Sequence, residues 1–227
     1  MRIPRAGGHG RKGEQLLTTD PPPPVDHRSV AVGAVVGGLL LGAVDFVWIK
    51  FLPYPFAELG NSSAVWAVAA FAFGFWVRSG SPRAALGAVA LLVTAVPSYY
   101  LAATLIQNDD IANVWAPTSI IWMLFGVLAG VIFGIAGVWA RTAGRRQIIA
   151  IALPGAVLFA EAALWTRRIG RPDYGTVPVW PAVIDVVLGL LIIVAVARTT
   201  RQRAMVLAAA LPLTLGGFAA FVLAGFA

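Results

Sequence analysis

Three of the 10 acidic residues, Asp45, Glu161 and Asp185, stand inside otherwise apolar stretches of the chain. An acid at membrane depth is costly unless it is neutral, paired or hydrated, so such residues turn toward an interior or a water-filled cavity. Two carboxylates held close together also tend to share a proton. The chemistry open to this set is cation binding or proton uptake. Tyr99 and Tyr100, just beyond Pro97, belong with it.

The stretches that must position these groups are seven apolar runs: Ser29–Phe51, Ser62–Val77, Pro82–Leu105, Val114–Ala140, Gln147–Trp165, Val179–Ala197 and Ala204–Phe226. A helix needs about 20 apolar residues to cross a hydrocarbon core ~30 Å thick. The runs predict an all-α, polytopic transmembrane helical bundle of about seven spans, with Ser62–Val77 the short one. Hydrophobic residues make up 59% of the chain and charged residues 12%, outside the range of soluble domains. Residues 1–28, with the run Pro21–Pro24, are too poor in apolar residues to fold alone and read as a disordered cytoplasmic tail. Residues 29–227 read as one transmembrane domain.

Orientation comes from the arginines, which outnumber lysines 15 to 2. With the N-terminus in the cytoplasm, the inner segments carry 13 Lys and Arg residues and the outer ones 4. That asymmetry predicts N-terminus in and C-terminus out by the positive-inside rule. Trp48, Trp66, Trp115, Trp165 and Trp180 then fall near the outer boundary, where amphipathic rings anchor. The arginine-rich, Ala/Gly/Val-rich composition points to a GC-rich bacterial genome and a plasma-membrane location.

At ~1.5 Å per residue, Asp45 lies about 24 Å and Glu161 about 21 Å from the inner ends of their runs, and Asp185 about 9 Å from the outer face. All three share one layer, which suggests an outward-open polar pocket. The competing reading is a set of separate structural contacts: Glu161 precedes Arg168 by seven residues, and Lys50 can snorkel toward Asp45. Pro97 is expected to kink the third span.

Spans one to three can be laid over spans five to seven at an offset of about 114–120 residues, which suggests two three-helix repeats joined by the fourth span. Asp45 then meets Glu161, Trp48 meets Trp165, Trp66 meets Trp180, and Arg83-Ala84 meets Arg203-Ala204. Gly126, Gly130 and Gly134 form a small-residue stripe on span four, read as tight packing inside the bundle rather than a dimer seam.

Several activities are excluded. The chain has no cysteine, and its two histidines, His9 and His27, precede the first span. Thiolate, haem and intramembrane imidazole sites are therefore out. No lysine in the seventh run can hold a retinal, and no phosphate loop, Gly-x-Ser-x-Gly elbow or His-Glu-x-x-His is present. No cofactor, no metal and no enzymatic activity are expected, and the basic balance records loop arginines rather than a nucleic-acid partner.

The stretch Leu59-Gly60-Asn61-Ser62-Ser63-Ala64-Val65-Trp66, the Ala-Phe-Ala-Phe-Gly that follows, Ser98-Tyr99-Tyr100, and Phe133-Gly134-Ile135-Ala136-Gly137 with Glu161 carry a resemblance. Over roughly residues 30–225 the chain resembles a family of small polytopic bacterial membrane proteins, found mostly in high-GC Gram-positive bacteria and known as a domain of unknown function. The resemblance implies an integral membrane protein and no particular activity. It adds Asn61 to the candidate pocket of Asp45, Tyr99, Tyr100, Glu161 and Asp185. The function expected is a small solute or ion transporter using that acidic layer. The alternative is a non-transporting scaffold, sensor or subunit of a larger complex. Beyond the lipid bilayer, the partners to expect are further copies of the chain or a membrane-complex protein.

Overall fold

The computed structural model describes residues 25–226. The expected tail, up to residue 24, lies outside them. Seven helices follow in order: α1 (His27–Phe51), α2 (Ser63–Val77), α3 (Ser81–Gln107), α4 (Pro117–Trp139), α5 (Arg145–Arg168), α6 (Val179–Val196) and α7 (Thr200–Leu223). Short 3-10 turns at Phe56–Leu59 and Ile111–Trp115 precede α2 and α4. The boundary expected at residue 28 is too late. Asp26 already caps α1, accepting from the Ser29 amide at 2.9 Å and its hydroxyl at 2.6 Å. Those bonds, the hydroxyl first, hold the Asp26 carboxyl below its ordinary pKa. α7 likewise starts before its apolar run: Thr199 Oγ1 accepts from the Gln202 amide, and Gln202 Oε1 accepts from the Arg198 amide. This is close to a capping box.

Six of the seven helices are long and apolar enough to span a membrane. The exception is α2, whose 15 residues rise only about 22 Å. The chain continues in helical form through Pro97, Pro154 and Pro212.

Glycine sets the seams. A methyl built on Gly42 of α1 would stand 2.0 Å from the Ala95 carbonyl oxygen of α3, so the two backbones touch there. Ser98 Oγ, a turn away, donates to the Leu39 carbonyl at 2.6 Å across the same seam. On α4, Gly126 lies over Leu92, Gly130 over Val89 and Gly134 over Ala84, all on α3. Gly137 turns toward Phe71 of α2. The stripe is consumed within the bundle, as the small-residue rule for membrane helices requires where backbones approach.

α1, α2 and α4 gather about α3, while α6 and α7 pack on α5. α5 joins the two groups through α2 and α4. The proposed repeat holds in part of this pattern. α1 pairs with α3 as α5 pairs with α7, and Arg83 and Arg203 both reach back to carbonyls ahead of their own helices, at Ser79 and at Val194 and Ala197. The middle helices differ: α2 leans on α4 and α3, whereas α6 leans on α5.

Gly42→Ala forces a methyl into backbone and should lower unfolding free energy in detergent by about 1–3 kcal/mol. Gly216 on α7 has nothing within 4 Å of a built methyl. Gly216→Ala should therefore be neutral or stabilising by up to about 1 kcal/mol, through helix propensity alone.

Candidate functional site

α2 begins inside the bundle, and its first amides have to be satisfied there, because the orphan donors of a buried helix start cannot reach water. Ser62 is the N-cap: its Oγ accepts from the Val65 amide at 3.1 Å. The same hydroxyl donates to Glu161 Oε2 of α5 at 2.5 Å, and that oxygen also accepts from the Ala64 amide at 3.1 Å. Glu161, 8% exposed, thus places an acceptor oxygen at a helix N-terminus, where the partial positive charge of the backbone favours one.

Asp185 of α6 is more buried still, at 2% exposure, and Glu161 is its charged neighbour. Its Oδ2 makes no hydrogen bond among the described residues. Asp45 of α1, 7% exposed, lies apart from this pair, on the cavity wall with Trp66 of α2. Of the two cations invoked by the structural-contact reading, Lys50 is turned away from Asp45, while Arg168 acts on Glu161 by its charge without a direct hydrogen bond. Lys50 donates to Gln107 Oε1 at 3.1 Å rather than to Asp45. Arg168 donates to the Phe226 carbonyl at 2.9 Å and lies over the Trp165 and Tyr174 rings.

A cavity of about 750 Å³ runs between the two helix groups. Its polar end is made by Asp45, Asn61, Ser62, Ser63, Trp66, Tyr99 and Tyr100. Tyr99 packs edge-on against Phe46 (5.4 Å between centroids) and Tyr100 (5.3 Å). The rest is apolar, with Trp122, Phe125 and Phe133 from α4 facing Pro212, Gly216 and Phe221 from α7.

Of the six residues expected to share a pocket, four (Asp45, Asn61, Tyr99 and Tyr100) line this cavity. Glu161 and Asp185 do not line it; they form a separate buried pair behind the start of α2, joined to the cavity wall through Ser62. Three residues of the polar end, Ser62, Ser63 and Trp66, lie outside that set of six. Ser62 carried a signal, a Ser-Ser pair directly ahead of an apolar run, which marks a helix N-cap.

The fold and the buried polar groups define a multi-pass helical membrane protein. Residues 22–225 match the model of a family of unknown function, DUF6518, and the chain belongs to that family. No curated protein and no solved structure matches it.

Ser62→Ala removes both the cap to Val65 and the donor to Glu161, and should cost about 2 kcal/mol in detergent unfolding. Glu161→Ala strands the α2 amides and should cost about 1–3 kcal/mol. The double variant should cost less than the sum of the two, because the residues share one contact. Strict additivity would mean the bond contributes nothing.

Proposed function

We propose that this protein is a small-solute transporter of the bacterial plasma membrane, with the cavity as its solute site and Asp45 as the principal polar contact. The observation that carries this reading is the cavity itself: about 750 Å³, with a single carboxylate and two tyrosines at one end. A volume in this range is typical of small-molecule sites, as is a mostly apolar wall with a few convergent polar groups. The 13-to-4 asymmetry of basic residues supports an N-terminus in the cytoplasm, which puts the polar end toward the outside. On this reading the protein is neither an enzyme nor a cofactor carrier, and its first partner is the lipid bilayer. Glu161 and Asp185 brace the wall.

The second reading, a non-transporting scaffold, sensor or complex subunit, is favoured by one observation. Glu161 Oε2 is used in capping α2, so a deep acid here has a structural purpose without any solute.

Thermal unfolding against a panel of cations and small solutes distinguishes the two. A ligand at 100 times its Kd stabilises the folded state by about 2.7 kcal/mol. The expected result is a ligand-dependent rise in Tm that Asp45→Asn abolishes and Asp185→Asn retains. No rise with any solute, together with stabilisation by a co-purifying protein, would favour the scaffold.

A further inference from the structure

We propose that the cavity takes a lipophilic ammonium cation, admitted sideways from the bilayer between α4 and α7. This rests on the solute-site reading above and names its ligand class and entry route.

The route follows from helix packing. α4 and α7 stand on either side of the cavity without a packed seam between them. They are bridged at one end, where Phe226 packs edge-on against Trp122 (5.5 Å) and tilted against Phe125 (5.7 Å). Leu128 and Ile132 of α4 line the cavity and are also 61% and 52% exposed. Gly216 and Ala220 of α7 line it and are exposed as well. The wall therefore runs continuously onto the surface that faces lipid. Gly216 holds the opening: a methyl there meets nothing within 4 Å.

The ligand class follows from the lining. Most of the wall is hydrocarbon and aromatic ring, which a strongly hydrated ion does not repay for its lost water. The polar end offers one carboxylate, Asp45, whose nearest lysine in the chain is engaged elsewhere, by Gln107. A cationic ligand would supply the counter-charge that this end of the cavity lacks. Trp66, Tyr99 and Tyr100 line that end, and aromatic rings beside a carboxylate recognise ammonium groups through cation–π attraction. An alkyl or aryl body then fills the groove toward Trp122 and Phe125. An anionic amphiphile would meet the Asp45 carboxylate instead.

The test uses the full chain in nanodiscs of zwitterionic lipid, with calorimetric titrations corrected against empty discs. The probes are hexyltrimethylammonium, its neutral carbon isostere 2,2-dimethyloctane, and choline. Saturable binding of hexyltrimethylammonium is expected, weakened about tenfold or more by Asp45→Asn, with choline weaker by a similar factor. Gly216→Phe, which projects a ring into the opening, should abolish binding while leaving Tm essentially unchanged. If Gly216→Phe does not fold, the Asp45→Asn comparison still decides. Choline binding as tightly as the hexyl compound, with loss in Asp45→Asn, would overturn the lipophilic assignment and leave the solute site standing. Equal binding of the neutral isostere, insensitive to Asp45→Asn, would overturn the ammonium assignment and mark the groove as a lipid seat. Binding by none of the three, where the wider solute panel still gives an Asp45-dependent rise in Tm, would overturn this inference alone. Silence in both experiments would remove the solute-site reading as well.

Discussion

The bond between Glu161 and the start of α2 is the constraint on which the arrangement turns. A 15-residue helix cannot cross a bilayer, so one of its ends must lie within the hydrocarbon depth. Unsatisfied backbone groups there cost several kcal/mol each, and only protein can satisfy them. Ser62 and Glu161 do so together, and in doing so they tie α2 to α5. That tie and the contact of α4 with α5 are the main helix-to-helix links joining the α1–α4 group to the α5–α7 group. The position of α2 also decides where the cavity can be, since its first residues and Trp66 form part of the wall.

The glycine seams and the cavity are two outcomes of one packing rule. Where small residues face each other, as along α1 and α3 or α3 and α4, backbones close to contact and leave no room. Where glycine faces nothing, as at Gly216, the same residue leaves a gap. α7 presents Pro212, Gly216, Gly217 and Ala220 to the cavity, with bulky Phe221 beyond them. Its other side is held chiefly by α5, through contacts such as Thr214 Oγ1 to the Ala156 carbonyl at 3.4 Å. The result is a helix fixed along one edge and open along the other.

Much of the fold was legible in hydropathy, because a membrane span writes its length directly into the chain. The seven helices fall within the seven apolar runs or extend them by a few residues. The extensions come from polar caps that hydropathy cannot register, such as Asp26 and the Thr199–Gln202 box. The candidate site was legible in depth but not in azimuth. Counting residues placed Asp45, Glu161 and Asp185 in one layer, yet depth says nothing about which way a helix is turned. Glu161 turns toward the start of α2, with Asp185 buried within reach of its charge, whereas Asp45 turns toward the cavity. The shortness of span two was plain from the start, whereas its cause, an acid 97 to 99 residues further along, was not, because nothing local in a sequence announces a partner at that separation.

That separation also has a meaning in time. The ribosome completes α2 long before it reaches Glu161, and at roughly 5–20 residues per second a gap of 99 residues lasts about 5–20 s. Through that interval the nascent chain holds a helix whose leading amides have no acceptor beyond Ser62. The α1–α4 half therefore leaves synthesis with the Ala64 amide still without its carboxyl acceptor, and the arrival of α5 completes the cap that Ser62 began.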